Sequence, residues 1–230
     1  MQHNRLICID RSAFILGAIG LTNDMPQLLV RIAGDESAMP PLLNKTTDQR
    51  IVHHGTWEQF KFIQKGFEGS PGVRLFYYDG AIEILMPGQD HETFARVICY
   101  LVTTFLVEQG IFFKPTGAMT QEKSGVVSAQ ADESFCIGSV KPIPDLSIEV
   151  VFTSGSISKL ERYKALGVPE VWFWEDGLLK LYHLRDGSYE LIDRSQLPGL
   201  SELDLDLLRR CILMAESDSG EAIRAFRREM

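Results

Sequence analysis

An α/β fold, with a mixed central β-sheet flanked by helices, is predicted by three features of this 230-residue chain. Strand-like and helix-like segments alternate without an internal repeat, and no long Pro-, Ser- or Gly-rich linker divides them. The run IEVVF at 148–152 is too apolar for an edge strand half open to water and reads as a buried central strand. With 45% hydrophobic residues the chain can bury one good core, so a single domain is expected.

Residues 1–49 have weak periodicity and read as an N-terminal extension, either loosely ordered or the product of a mis-assigned start upstream of Met25 or Met39. Within them FILGAIGL at 14–21 is short for a membrane span and lacks a small-residue cleavage site. Thr56-Trp57-Glu58-Gln59 has the form of a capping box opening the first domain helix. Asp79-Gly80, flanked by VRLFYY and AIEILM, predicts a hairpin that pairs Tyr77 with Ile82 and Phe76 with Glu83. A long apolar helix follows over 91–109, stopped by Gly110, with His91 and Glu92 at its start. Thr153-Ser154-Gly155-Ser156 signals a turn and a helix cap. Ile157, Leu160, Tyr163 and Leu166 then recur at helical spacing up to Gly167. A strand through 171–174 and a closing hairpin of 178–184 with 189–192, turning at Asp186-Gly187-Ser188, complete the domain. The expected division is therefore an extension at 1–49, a domain at 50–213 and a charged, poorly packed helical tail at 214–230.

Asp132 in ADESF, Glu149 in PDLSIEVVF and Lys159 in SISKLERYKALG fall in an order that suits metal-dependent phosphodiester chemistry. Carboxylates on adjacent strands, with a lysine just beyond, can bind a divalent cation and polarise a water. Along the second strand Leu146, Ile148, Val150 and Phe152 share one face, and Asp145, Ser147, Glu149 and Val151 the other. A buried Glu149 needs a cation beside it, because desolvation alone costs several kcal/mol or neutralises the group. A lysine, a metal or a purely structural ion pair meets that need equally. Lys159 lies in a first helical turn, where the helix dipole opposes a cation, which favours a fixed partner over a solvated lysine.

The segments RLFYYDGAIEILMPGQDHE, QADESFCIG, IPDLSIEVVFTSGSISKLERY and GVPEVWFWEDGLLKLYHL together resemble the Uma2 family of restriction endonuclease-like proteins, cyanobacterial type, within the PD-(D/E)XK nuclease superfamily. The resemblance implies a restriction endonuclease-like core and a catalytic set of Asp132, Glu149 and Lys159. Asp132 matches the acid of the family's Pro-Asp motif, with Ala131 standing where the family has Pro. Val151 occupies the place where the superfamily's E-x-K pattern puts its lysine, so Lys159 is that lysine moved to the following helix. Glu83 is implied as a further acid. One branch of the family has an L-E-I-M segment here, and others carry glutamate where Phe76 stands, across the hairpin. The alternative for Glu83 is a surface pair with lysine or arginine. A histidine placed like His91 more often caps or packs a helix than binds a ligand.

The implied activity is endonucleolytic hydrolysis of nucleic acid, DNA foremost, by Mg²⁺ or Mn²⁺ held on Asp132, Glu149 and the Val150 carbonyl. A catalytically silent module that binds protein or nucleic acid is the alternative. A net charge of −8 argues against an extended basic surface, since affinity for phosphates comes largely from Lys and Arg. A local basic groove stays open, built from Lys159, Arg162 and Lys164 with Lys61 and Lys65. Cys8, Cys99, Cys136 and Cys211 lack zinc-site spacing and read as reduced core residues of a cytoplasmic protein. No membrane association is expected, and a homodimer is compatible with the chain.

Overall fold

The computed structural model describes residues 48–152 and 156–230, all of them within one unit, Leu43–Met230. The extension expected over 1–49 falls outside the described residues except for Asp48 and Gln49, as do the apolar run at 14–21, Cys8 and the turn at 153–155.

β1 (Gln49–His54) leads to Thr56, which caps α1 (Trp57–Gly66) in a complete capping box. β2 (Arg74–Tyr78) and β3 (Ala81–Met86) form the expected hairpin. Asp79 and Gly80 both take positive φ, 47° and 68°, the conformation that lets a two-residue turn match the strand twist, and Phe76 pairs with Glu83 as predicted. α2 (Gln89–Glu108) follows, then the short strands β4 (Phe113–Pro115), β5 (Gln121–Lys123) and β6 (Val127–Ala129). The central pair β7 (Glu133–Ile137) and β8 (Leu146–Val151) precede α3 (Ser156–Leu166). Gly167 ends α3 at φ +81°, its N–H and that of Val168 both returning to the Tyr163 carbonyl. β9 (Glu170–Glu175), β10 (Leu178–Arg185), β11 (Ser188–Ile192), α4 (Leu205–Met214) and α5 (Ser219–Glu229) complete the chain.

The fold is mixed α/β, but its strands divide between two sheets instead of one. The first has the order β1-β3-β2-β6-β5 and is antiparallel throughout. The second has the order β11-β10-β9-β8-β7-β4 and is mixed, because β8 and β9 run parallel across α3 while the other pairs are antiparallel. The hairpin of β2 and β3 therefore belongs to a different sheet from β7 and β8, which strand patterning alone does not reveal.

The alternation read along β8 holds. Leu146, Ile148 and Val150 enter the larger core, formed with α2, α4, α5, Trp172, Trp174 and Leu181. Val151 turns the other way, into a second core with Leu160, Tyr163 and Leu166 of α3. A smaller cluster seats Phe60 of α1 on Leu75, Tyr77 and Ile82. The C-terminal segment is helical but not poorly packed: Ala222, Ala225 and Phe226, spaced at i, i+3 and i+4, are buried in the larger core. Cys99, Cys136 and Cys211 are free thiols, with Cys136 and Cys211 buried. No helix of the described residues is long and apolar enough to cross a membrane.

Candidate active site

Asp132 sits one residue before β7. The β7–β8 register pairs Glu133 with Ile148, so one further step sets Asp132 across from Glu149 on the same face. Asp132 Oδ2 accepts the Val150 N–H at 2.7 Å, so a carboxylate takes the place of a ladder carbonyl at this point. Arg74 Nε, at the start of β2, stands 3.1 Å from Asp132 Oδ1, and His91 Nε2 stands 2.8 Å from Oδ2. Both contacts lie off the line of a hydrogen bond, and Asp132 Oδ1 and His91 Nε2 are sealed from solvent without one. Burial opposes the charge on Asp132, but His91, Arg74 and the more distant Lys159 outweigh it and hold the carboxyl below its ordinary range. Arg74 is fixed in turn by Glu92 Oε1 at 2.8 Å.

His91 lies between two carboxylates, since its Nδ1 is 2.9 Å from Asp48 Oδ2. Asp48 is anchored by the Gly88 N–H at 2.8 Å, although the sequence assigns it to the extension. Burial lowers the imidazole pKa, yet the two aspartates outweigh that effect and push it up from 6.5 to about 9. Because the folded value exceeds the unfolded one, this stabilisation is complete below pH 6.5 and is lost as pH rises through about 9. The difference corresponds to about 3 kcal/mol. Urea unfolding of the metal-free protein should therefore show a falling midpoint from pH 6.5 to 9.5, and His91→Gln should flatten that slope. An equally steep slope in the variant would assign the titration to another group.

Glu149 is 1% exposed. Lys159 Nζ lies 2.5 Å from its Oε2, and the Tyr163 hydroxyl donates to its Oε1. Burial and the charge on Glu149 raise the Tyr163 pKa well above its usual value, so the phenol stays protonated and can donate. Lys159, Arg162 and Tyr163 occupy positions i, i+3 and i+4 of α3 and project from one face. Arg162 pairs with Glu83 of β3 and stacks its guanidinium over the Phe76 ring, 4.7 Å from the centroid. Glu83 also takes Arg50 Nε at 2.7 Å, so it pairs with arginine, though in a buried setting and not on the sheet surface. Burial opposes its charge, while Arg162 and Arg50 hold its carboxyl below the ordinary range.

Residues 57–211, more than half of the chain, match Uma2, described as “Putative restriction endonuclease”. The chain belongs to the Uma2 family. Among solved structures it is similar to a crystal structure of a “putative nuclease belonging to DUF820” from Anabaena variabilis ATCC 29413. The two share 16% identity over 60% of this chain and 90% of that one, with a TM-score of 0.46. No curated protein matches the chain.

In this Uma2 chain the acid pair and the lysine come together in one buried cluster, joined by Arg74, His91 and Tyr163. Among the described residues no group of three or more His, Cys, Asp or Glu side chains is arranged to hold a metal ion. The donors that are present suit a hard cation nonetheless. Asp132 Oδ1 is buried without a hydrogen bond, and each Glu149 oxygen keeps a second lone-pair direction beside its present partner. Val150, expected to contribute its carbonyl, is engaged here through its N–H. The basic groove left open by the sequence does not form on α3, because Lys159 and Arg162 are buried in ion pairs and Lys164 pairs with Glu161. Lys61 and Lys65 do line a groove of about 1150 Å³ with Gln64, Thr120 and Gln130, though Lys61 is bonded there to Glu122.

Arg74, Asp48 and Tyr163 were not legible as site residues. They come from positions far apart in the chain, and Tyr163 is indistinguishable by spacing from the packing residues Leu160 and Leu166. The Pro-Gly-Gln-Asp-His-Glu run after β3 was the available signal for His91 and Glu92.

Proposed function

We propose that this Uma2 chain is a metal-dependent endonuclease that hydrolyses phosphodiester bonds, with DNA in the cytoplasm as substrate. The domain responsible is residues 50–213, with 1–49 as an extension and 214–230 as a charged tail. The observation that carries the reading is Asp132 set across from Glu149, with Lys159 Nζ 2.5 Å from the Glu149 carboxylate in a cluster shut off from bulk water. Low dielectric strengthens each charge there.

Asp132, Glu149 and the Val150 carbonyl would hold Mg²⁺ or Mn²⁺, which supplies an acidified water and neutralises charge on the phosphate. In the metal-free protein Arg74 and His91 keep Asp132 ionised, as a hard-cation ligand must be. Lys159 orients the attacking water or donates to the developing oxyanion. Tyr163 fixes the Glu149 carboxylate from its other oxygen. Glu83, the further acid of the expected set, acts by positioning: it holds Arg162 on the Lys159 face of α3, where a guanidinium can take a phosphate oxygen.

Plasmid, linear duplex, single-stranded DNA and RNA should be incubated with the purified full chain and Mg²⁺, Mn²⁺ or chelator. Nicking or linearisation of plasmid with metal, and none with chelator, is the expected result. No cleavage of any of these in any metal would replace this reading with the catalytically silent module, which the pairing of each carboxylate with a protein cation favours.

A further inference from the structure

His91 has the surroundings of a ligand. It is 1% exposed and is oriented at both nitrogens. Asp48 fixes the Nδ1 side at 2.9 Å, and Asp48 itself is held by the Gly88 N–H through its other oxygen. The ring plane is set by Phe152, packed edge-on with centroids 5.9 Å apart. This arrangement directs Nε2 at Asp132, 2.8 Å from Oδ2, a separation that suits neighbouring ligands of one cation. The hydrogen-bond geometry, in contrast, is not satisfied: Nε2 and Asp132 Oδ1 are both buried and neither makes a hydrogen bond among the described residues. Buried polar atoms are nearly always bonded, so an Nε2 without a hydrogen bond, aimed at a carboxylate whose other oxygen also lacks one beside Arg74 Nε, points to a missing partner. A carboxylate bonded to the far nitrogen of an imidazole is also the usual support of a metal-binding histidine, because it fixes the tautomer that leaves the near nitrogen's lone pair free.

Resting on the metal-dependent reading above, we propose that His91 is a metal ligand through Nε2, beside Asp132, with Asp48 as its orienting carboxylate. The donor set is then mixed nitrogen and oxygen rather than all oxygen. Imidazole suits Mn²⁺ and later transition ions better than Mg²⁺, which favours oxygen donors and retained waters, so the site selects Mn²⁺ over Mg²⁺. The competing account is an imidazolium that bridges Asp48 and Asp132 for structural reasons and never meets the cation.

The full-length protein loaded with Mn²⁺ separates the two accounts by electron spin-echo envelope modulation. The expected spectrum carries ¹⁴N modulation from a directly bound imidazole, and it changes to the ¹⁵N pattern in protein labelled at histidine. His91→Gln should remove the modulation and narrow the preference for Mn²⁺ over Mg²⁺ seen by calorimetric titration. Asp48→Asn, which leaves the imidazole in place, should retain the nitrogen signal while weakening Mn²⁺ binding by roughly 10–100-fold, the usual effect of losing an orienting partner. If His91→Gln does not fold, the labelled wild type and Asp48→Asn still decide the question. Bound Mn²⁺ with no nitrogen modulation, modulation that persists in His91→Gln, or unchanged affinity in Asp48→Asn overturns the ligand role and leaves the metal-dependent reading standing. No Mn²⁺ binding by the wild type overturns both.

Discussion

Asp132→Asn should destabilise the protein by roughly 3–5 kcal/mol, the scale of removing one partner from a buried ion cluster. The substitution keeps the size of the side chain and deletes its charge. Asp132 is 2% exposed and faces Arg74 Nε, His91 Nε2 and the Val150 N–H, all of which require an acceptor. An amide offers one oxygen and aims its NH₂ at a donor, so at least one buried cation is left uncompensated. The pH dependence identifies the mechanism. Below pH 6.5 both Arg74 and His91 are stranded, whereas above about 9 the wild-type imidazole is itself neutral and only Arg74 suffers. The difference in urea midpoint between wild type and variant should therefore shrink from pH 6 to pH 9.5. A midpoint equal to wild type at pH 6 would mean that Asp132 is not the counter-charge of this cluster.

What could be read from the chain divides by the range of the interaction. The β2–β3 register followed from Asp79-Gly80 and the faces of β8 from simple alternation, because turns and pleats are local. The same Asp-Gly signal recurs at Asp176-Gly177 and Asp186-Gly187, both with positive φ in each residue, and these turns join β9 to β10 and β10 to β11. The division into two sheets was not legible. It depends on β2 choosing β6 as its neighbour instead of a strand of the β7–β8 layer, which lets Phe76, Val127 and Ala129 of the first sheet share one core with Val151 and with Leu160, Tyr163 and Leu166 of α3. The packing of α5 was hidden for a different reason. Its charged residues dominate the composition, while Ala222, Ala225 and Phe226 form a stripe too narrow to weigh in an average. In the site, the acids and the lysine could be named from a strand-strand-helix order, but their counter-ions could not. Arg74 and His91 are supplied by two other segments and Asp48, which holds His91, by a third; only His91 carried a local signal, while Arg74 and Asp48 look ordinary in their own sequence neighbourhoods.

On the proposed metal-dependent reading, Lys159→Ala separates the chemical step from metal binding and should slow nucleic-acid cleavage by roughly 10² or more, the cost of losing one charge stabiliser in a preorganised site. Lys159 Nζ is placed 2.5 Å from Glu149 Oε2 on a helix whose Tyr163 fixes the other carboxylate oxygen, so its position is determined from both sides. The proposed metal ligands are untouched by the change. Removing the ammonium also removes a competitor for Glu149 Oε2, so Mn²⁺ affinity should hold or rise while turnover falls. A purely structural lysine predicts the reverse order: lost stability and weaker metal binding, with the remaining bound enzyme cleaving at the normal rate. Lys159→Met controls for packing, because it restores an apolar stem under α3 without a charge, and it should lie as low in activity as the alanine variant. Single-turnover cleavage at saturating Mn²⁺, with calorimetric Mn²⁺ titration of the same samples, gives both quantities. Wild-type single-turnover rates in Lys159→Met would reduce Lys159 to the counter-ion of Glu149 and remove it from the catalytic set.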